Sequence, residues 1–435
     1  MLEIFDCPPE IIDLIINELV SSPAPASTSE LRCSVHQRLS RRILPLGLTC
    51  RFFYRFILPR LYSNCFLEFC RLPDEDPRCR LYDSSVLGTI QKYNGFLQNG
   101  TLVKNLNIRF AGQAELEHPV QGWTTEKWAE FQEVSQSVSD VLGNLVPKFD
   151  NLRRVEFQRN ISPRPQGSLE DFVRGVFTVL SRVTSLAALD LSIQWGAGDL
   201  VDWPQEGVKI DYSGSTPQLH ELSLSIEPKL PDLDFDWDED LTESQILEYL
   251  WFMDILIDLL QAPSQTVKAL NFEFILDEFD TYSLGRRWRN SRDRVALGKA
   301  RKQLEFPVVE KLNLSLGSGC QLAYEHYLKV PHGEVKDLSL QLIMIPGGTW
   351  AKEIPFIKSF PNLATLTLYH PRDIKPIEAV VASLSQFTRL KELIIFLFES
   401  ATQVKTIAEK FEKDPQIQIK RPDSATGFAV ISLHF

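Results

Sequence analysis

Apolar residues recur along the chain in one short spacing: an aliphatic residue, two variable residues, an aliphatic residue, one variable residue and a third apolar residue. In the copy at residues 219–224, period-two alternation places Leu222 and Leu224 on one side of an extended segment and Ser223 on the other. Nine copies occur in order, and they start at Val103, Leu152, Leu186, Leu219, Val267, Val309, Val335, Leu363 and Leu390. Each copy predicts a β-strand with one buried side.

The distances between copies indicate a repeat protein with insertions. Successive copies start 26 to 49 residues apart, and the last three intervals fall within the period of 20–29 residues that leucine-rich repeats have. Helical patterns lie between the strands, one of them opened by Ser168 and Asp171 in the spacing of a capping box. Others begin near Thr242, Pro376 and Val404. The predicted fold is α/β: an irregular leucine-rich-repeat solenoid with parallel strands on its concave face and helices and loops outside.

A doubly wound α/β sheet, the fold of many enzymes, also alternates strands with helices. Its strands are buried on both faces and consist of continuous apolar runs. Here the apolar residues alternate with Asn, Ser, Glu and Thr, and the sequence has no P-loop, GxSxG elbow or HExxH motif. We therefore prefer the solenoid and keep the α/β enzyme as the second hypothesis.

The variable strand residues of such a solenoid point to its concave face, where curved repeat proteins usually bind their partners. These residues are polar and of mixed charge. The predicted substrate-binding residues are Arg109, Glu156, Gln158, Asp190, Glu221, Glu273, Asn313, Asp337 and Thr367. A solvated strand face with no partner is the alternative.

The beginning of the chain has a helical pattern of its own. Residues 7–19 combine proline in the first turn with aliphatic residues at helical spacing. A polar insert at residues 21–40 separates this segment from a second apolar run at residues 44–62. The aliphatic stripe of the first helix is wider than one small core requires, which predicts burial against both its own module and a partner.

Over residues 4–64 these segments resemble the F-box family, particularly its fungal members. The family opening, Leu-Pro-x-Glu-Ile with apolar residues at helical spacing, is matched with Cys7 in place of the leucine. Its second signature, an aliphatic run into Cys-Arg and an aromatic residue, is matched at residues 46–53. The resemblance implies docking on the Skp-type adaptor of a cullin–RING ubiquitin ligase. The implied contact residues are Pro8, Glu10, Ile11, Ile15, Leu46, Cys50, Arg51 and Phe53.

The 435 residues are accordingly divided into an F-box-like helical module at 1–64, a helical linker or cap at 65–100 and the solenoid at 101–435. The resemblance implies a non-catalytic substrate-recognition subunit, which binds the adaptor, and through it a cullin, with its first helices and a protein substrate with its solenoid. The alternative is a non-catalytic repeat scaffold that acts outside a ligase, with the first helices serving as a solenoid cap.

Charge and cysteine content limit the kinds of partner and the compartment that we expect for this chain. A net charge of -11 disfavours nucleic acid, and no segment has the apolar length that a membrane span needs. Seven cysteines, an odd number without a CxxC pair, predict free buried thiols in place of disulfides or a zinc site, and hence a reducing compartment. We expect a protein of the cytoplasm, the nucleus or both, with no cofactor and no metal ion.

Two charged segments have competing interpretations. Residues 232–243 carry carboxylates spaced as in an EF-hand calcium loop, but Trp237 occupies the position where the turn needs glycine, which favours an exposed acidic loop. Residues 286–302 are strongly basic. They could bind phosphate on a modified substrate, pair with the acidic loop or form a solvated helix face, and we favour the last two.

Overall fold

The structure is a computed structural model. It describes residues 58–59, 62–70, 80–81, 98–111, 138–159, 169–196, 217–229, 253, 255–274, 303–316, 324, 327–342, 354–369, 389–398, 417–420 and 428–434. The strands are β1 Asn64–Cys70, β2 Arg80–Leu81, β3 Asn105–Ala111, β4 Arg154–Arg159, β5 Ala188–Gly196, β6 Glu221–Lys229, β7 Ala269–Phe274, β8 Leu304–Glu305, β9 Lys311–Leu316, β10 Leu328–Lys329, β11 Asp337–Leu342, β12 Thr365–Tyr369, β13 Glu392–Phe398, β14 Ile417–Lys420 and β15 Phe428–His434.

One sheet of 13 strands runs through the described residues, and ten of its strands are parallel and lie in chain order. From β3 onwards these strands are the nine predicted ones, which confirms the repeat. A doubly wound sheet instead reverses its strand order at a switch point. The strand order therefore contradicts the doubly wound alternative, because β1, β3, β4, β5, β6, β7, β9, β11, β12 and β13 succeed each other without a reversal. The fold is a mixed α/β, leucine-rich-repeat-like array.

The first parallel strand, β1, was not predicted. It pairs with β3 so that Cys65 lies beside Leu106 and Leu67 beside Ile108. Tyr62 and Cys65 occupy the first two apolar positions of the repeat spacing, which an aliphatic pattern does not detect. The interpretation of residues 65–100 as a helical linker is wrong for residues 65–70 and for the two residues of β2.

Antiparallel strands border the parallel row at both ends. At one end, β2 pairs antiparallel with β1. At the other, β15 pairs antiparallel with β13, and β14 pairs antiparallel with β15. The small strands β8 and β10 pair in parallel with each other in a separate two-stranded sheet.

A ladder of shared carbonyls locks the start of every repeat to the next. The Lys104 carbonyl accepts hydrogen bonds from the backbone N–H groups of both Arg153 and Arg154, at 2.8 and 3.1 Å. The residue just ahead of each later strand repeats this arrangement, as far as the Ala364 carbonyl, which Lys391 and Glu392 share. Because the ladder fixes the backbone at each step, equivalent residues of successive strands lie in straight columns.

The apolar positions of the repeat form the core. All nine residues that open the motif copies are buried, and so are the two apolar residues that follow within each strand from β3 to β12. Each such aliphatic side chain contributes roughly 1.5–3 kcal/mol when it is removed from water. The core is therefore a continuous layer under the sheet, repeated strand by strand.

Helices cover this layer: α1 Val138–Leu145, α2 Leu169–Arg182 and α3 Ile354–Lys358. The predicted apolar side of α2 is confirmed at Phe172, whose ring centroid lies 5.7 Å from that of Phe110 and 5.8 Å from that of Phe157. Residues 255–260, in the helix predicted after Thr242, are helical and mostly buried. The patterns near Pro376 and Val404 lie outside the described residues.

One buried charge interrupts the apolar layer. Arg159 is 2% exposed and ends β4 at a position that the neighbouring strands fill with Phe110 and Ile193. Its guanidinium donates to the backbone oxygen of Gln194 on β5. A buried arginine needs such acceptors because an ionised group without partners is costly in the interior. Arg159 therefore ties the end of β4 to the longer strand β5.

Candidate functional site: the polar face of the sheet

The side of the sheet opposite the core is lined by the first, third and fifth residues of each parallel strand, together with the seventh residues of β5 and β6, Gln194 and Glu227, and we call it the polar face. The strand registers place the nine predicted substrate-binding residues in these three columns. They are Arg109, Glu156, Gln158, Asp190, Glu221, Glu273, Asn313, Asp337 and Thr367. The structure thus places them on one surface, while their role in binding stays a prediction.

Carboxylates dominate the polar face from β4 to β7. The first of them, Glu156 on β4, accepts a hydrogen bond of 2.7 Å from the Asn107 side-chain amide on β3. Its other oxygen accepts from the Gln158 amide two residues along the same strand. Both oxygens are thus held by neighbours, so the orientation of the carboxylate is fixed across two strands.

Arg154 binds the next carboxylate in a bidentate pair. Its Nε and Nη2 atoms donate to the two oxygens of Asp190 at 2.8 and 3.2 Å, and its Nη1 lies 3.5 Å from an oxygen of Glu221. Such fork-to-fork contacts fix direction as well as distance. Burial nevertheless raises the pKa of the Asp190 carboxyl, against the opposing effect of the Arg154 guanidinium. The nearby Glu221 carboxylate adds to the increase.

The pairs continue along β5 to β7. Gln194 donates to Glu227 at 2.6 Å, and the Ser225 hydroxyl donates to Glu273 at 2.8 Å. Asn271 donates its side-chain amide to Ser223 at 2.8 Å. The result is a series of separate polar pairs and triads, with more carboxylates than cations, in which neighbours on the sheet orient the charged groups.

From β9 to β12 the same face is mostly uncharged. Its third column holds Asn313, Ser339 and Thr367, and Lys311 and Asp337 form an ion pair across β9 and β11 at 3.8 Å. Ser315 is 4% exposed, and its hydroxyl has no hydrogen-bond partner among the described residues. The polar face therefore changes along the row from acidic pairs and triads to small hydroxyl and amide side chains.

Sequence reasoning missed Arg154, which organises the carboxylates of two strands. It occupies the same strand position as Glu221 and Asp337, which were selected. An alignment of the nine copies by position would have placed all three in one column. The signal that could have identified Arg154 is therefore its position in the strand, which it shares with Glu221 and Asp337.

A serine and a histidine lie close together near α3. The Ser359 hydroxyl is 2.8 Å from His332 Nδ1, and Tyr324 is 3.1 Å from Nε2. Ser359 donates its proton to the Phe356 carbonyl at 2.6 Å, and the His332 ring stacks on Phe360 at 4.1 Å. Because the hydroxyl proton goes to the backbone, the pair is arranged to hold a turn against a helix end.

The eight predicted adaptor contacts, Pro8, Glu10, Ile11, Ile15, Leu46, Cys50, Arg51 and Phe53, lie outside the described residues, as do the segments 232–243 and 286–302. Within the described part of the chain, Cys65 is buried and is not part of a disulfide, as predicted. The same part contains no group of three His, Cys, Asp or Glu side chains suited to a metal ion. None of the helices seen there combines the length and hydropathy needed to cross a bilayer.

Comparison with known proteins adds one structural likeness. No family model matches the sequence, and no curated protein matches it either. Among solved structures, the leucine-rich repeat-containing protein LegL7 from Legionella pneumophila is 16% identical, with 80% of this chain and 98% of that chain covered. The TM-score is 0.35, so the repeat assignment rests on the strand order and the burial pattern of this chain.

Proposed function

We propose that this chain is a non-catalytic protein-interaction scaffold, in which the polar face of the sheet binds a partner protein. The observation that carries the proposal is the series of hydrogen-bonded carboxylates Glu156, Asp190 and Glu273, each of which is oriented by a neighbouring strand. Groups oriented before binding lose little conformational entropy when a partner arrives. The excess of carboxylates between β4 and β7 favours a partner that presents basic residues.

Charge reversal on the polar face tests this role. In the full chain, Glu227→Lys with Glu273→Lys should abolish capture of the partners that cross-link to the wild type in cell lysate. The matched control is Asp150→Lys with Glu334→Lys, which makes the same charge change in exposed turns ahead of the strands. Equal capture by all three proteins, each with an unchanged melting temperature, would contradict the proposal.

We propose further that the scaffold is the substrate receptor of a Skp–cullin–F-box ubiquitin ligase. The support is the sequence resemblance over residues 4–64, with its two signatures in register. In this form the first helices bind the Skp-type adaptor, the sheet binds the protein substrate and the transfer chemistry belongs to other subunits. The composition of the chain favours the cytoplasm or the nucleus.

Co-purification with the Skp-type adaptor tests the ligase role. The wild-type chain should bind the adaptor, and an Ile11→Asp, Ile15→Asp variant should lose binding while its circular dichroism spectrum is unchanged. Without wild-type binding, the ligase role fails and the scaffold acting outside a ligase is the remaining form of the proposal.

A further inference from the structure

The residue directly ahead of each parallel strand from β3 to β13 is usually basic. These nine positions, which we call the leading row, are Lys104, Arg153, Ala187, His220, Lys268, Glu310, Lys336, Ala364 and Lys391. Six of them are Lys, Arg or His, in a chain with 46 Lys and Arg and 7 His among 435 residues and a net charge of -11. The cations are therefore concentrated at one edge of the sheet.

The ladder sets the spacing of the leading row. Neighbouring strands lie about 4.8 Å apart, so the four steps from β3 to β7, between Lys104 and Lys268, extend over about 19 Å. An extended peptide advances about 3.3 Å per residue and covers that length with about six residues. Since each position is held by two backbone hydrogen bonds, the row is a fixed line of charge.

Three of the six cations of the leading row have no side-chain partner among the residues that the structure describes. Lys104, Lys268 and Lys391 are exposed and form no ion pair or hydrogen bond through their side chains within the described part of the chain. Arg153 makes one long contact of 3.4 Å with the Ser185 carbonyl, and Lys336 pairs with Glu310. The carboxylates of the polar face are satisfied by neighbours, whereas these cations are available to an external anion.

The leading row is only one residue wide, and this width favours one class of partner over others. The next position along the strands carries Glu221, Asp337 and Glu392 beside Arg154 and Lys311. A bilayer surface or a nucleic-acid duplex would cover those carboxylates as well, and the negative charge of the chain opposes any long polyanion. An extended peptide can follow a single line of cations and avoid the adjacent acids.

We propose that the leading row between Lys104 and Lys268 binds an extended acidic segment of a partner protein. This row borders the polar face but is opposite to it in charge, so the inference goes beyond the proposed function. Binding there would depend strongly on salt, because the cations are exposed and screened beyond about 8 Å at physiological ionic strength.

Fluorescence anisotropy of the full chain with a labelled Glu-Ser repeat peptide of about six residues tests the inference. The row variant is Lys104→Gln, Arg153→Gln, Lys268→Gln. The control variant is Lys148→Gln, Lys329→Gln, Lys358→Gln, which removes the same charge from exposed positions outside the row. We expect the row variant to bind roughly tenfold more weakly and the control to stay within roughly twofold of the wild type.

Several outcomes overturn the inference. Absence of wild-type binding does so, and equal weakening in both variants would attribute the binding to net charge alone. Tighter, row-dependent binding to phosphatidylserine vesicles or to a single-stranded oligonucleotide would replace the acidic protein segment by another class of partner. The polar-face variant Glu227→Lys, Glu273→Lys retains the row, so its behaviour with basic partners is decided independently.

Discussion

The two faces of the same sheet differ in how much they vary along the row. On the core side, the two strand positions under the sheet hold Leu, Ile, Val or Phe in every strand from β3 to β12. On the polar face, the equivalent columns change from Glu156 and Asp190 to Asn313 and Thr367 over a few strands. The uniform face specifies the backbone, and the variable face leaves the chemistry free to differ from repeat to repeat.

The largest effect should come from breaking the uniform face. Phe172→Ala removes a fully buried ring that contacts Phe110 on β3 and Phe157 on β4. The expected loss is about 3–5 kcal/mol in the free energy of unfolding, measured by urea denaturation. Phe177→Ala, on the same helix but only partly buried, is the matched control and should cost clearly less. Equal losses would show that burial against the two strands is not the dominant contribution.

An intermediate effect is expected where the polar face has its bidentate pair. Arg154→Ala removes the partner of Asp190, and we expect about 1 kcal/mol of destabilisation at neutral pH, limited by the exposure of the arginine. Arg153→Ala, one residue earlier, deletes an equally long side chain with one weak hydrogen bond and should change stability less. Thermal denaturation of both variants measures the difference, and a larger effect at Arg153 would refute this account of the pair.

A third test uses the titration of Asp190. Burial raises the pKa of its carboxyl in the folded chain above the ordinary value of 3.8, so ionised Asp190 is less favourable in the folded than in the unfolded state. Wild-type stability therefore contains a contribution that is complete below that value and is lost as pH rises through the raised pKa. Asp190→Asn cannot titrate, so the stability of the wild type relative to this variant should fall with rising pH.

Melting temperatures of the wild type and Asp190→Asn between acidic and neutral pH provide the measurement. Asp150→Asn, in an exposed turn, controls for the loss of one negative charge. If the stability of the wild type relative to Asp190→Asn instead rises with pH, the ion pair with Arg154, and not burial, has the larger effect on the pKa of Asp190.

The smallest effect on stability should come from Glu273→Gln. The amide keeps the shape of the side chain and can still accept the hydrogen bond from Ser225, so we expect a change within about 0.5 kcal/mol by chemical denaturation. If the polar face binds a basic partner, the same substitution should weaken that binding. A marked loss of stability would instead assign Glu273 a structural role.

The repeat could be predicted because apolar and polar residues alternate with a period of two along each strand. Leu222 and Leu224 are buried while Ser223 and Ser225 are not, and the same contrast recurs from copy to copy. The strands that the pattern did not predict lack this alternation of aliphatic and polar residues. In β1 an aromatic residue and Cys65 replace aliphatic ones, and the antiparallel strands β14 and β15 have no repeat motif ahead of them.

The candidate site was predictable in location and not in connectivity. Alternation alone puts Glu156 and Asp190 on the polar face. It does not say that Asn107 would bind the first or that Arg154 would bind the second, because those contacts depend on the register between strands 36 to 49 residues apart in sequence. The raised pKa of Asp190 likewise follows from burial, which one sequence does not reveal.

The strands beyond β13 have a consequence for assembly. A row of parallel strands ends in unpaired backbone groups that a second copy of the chain could extend in the same register. Here β15 runs against the repeats and β14 runs with them again, and β14, the outermost strand of the described sheet, offers only the four residues Ile417–Lys420. A second copy would therefore find only a short edge to pair with, which disfavours fibre growth at this edge.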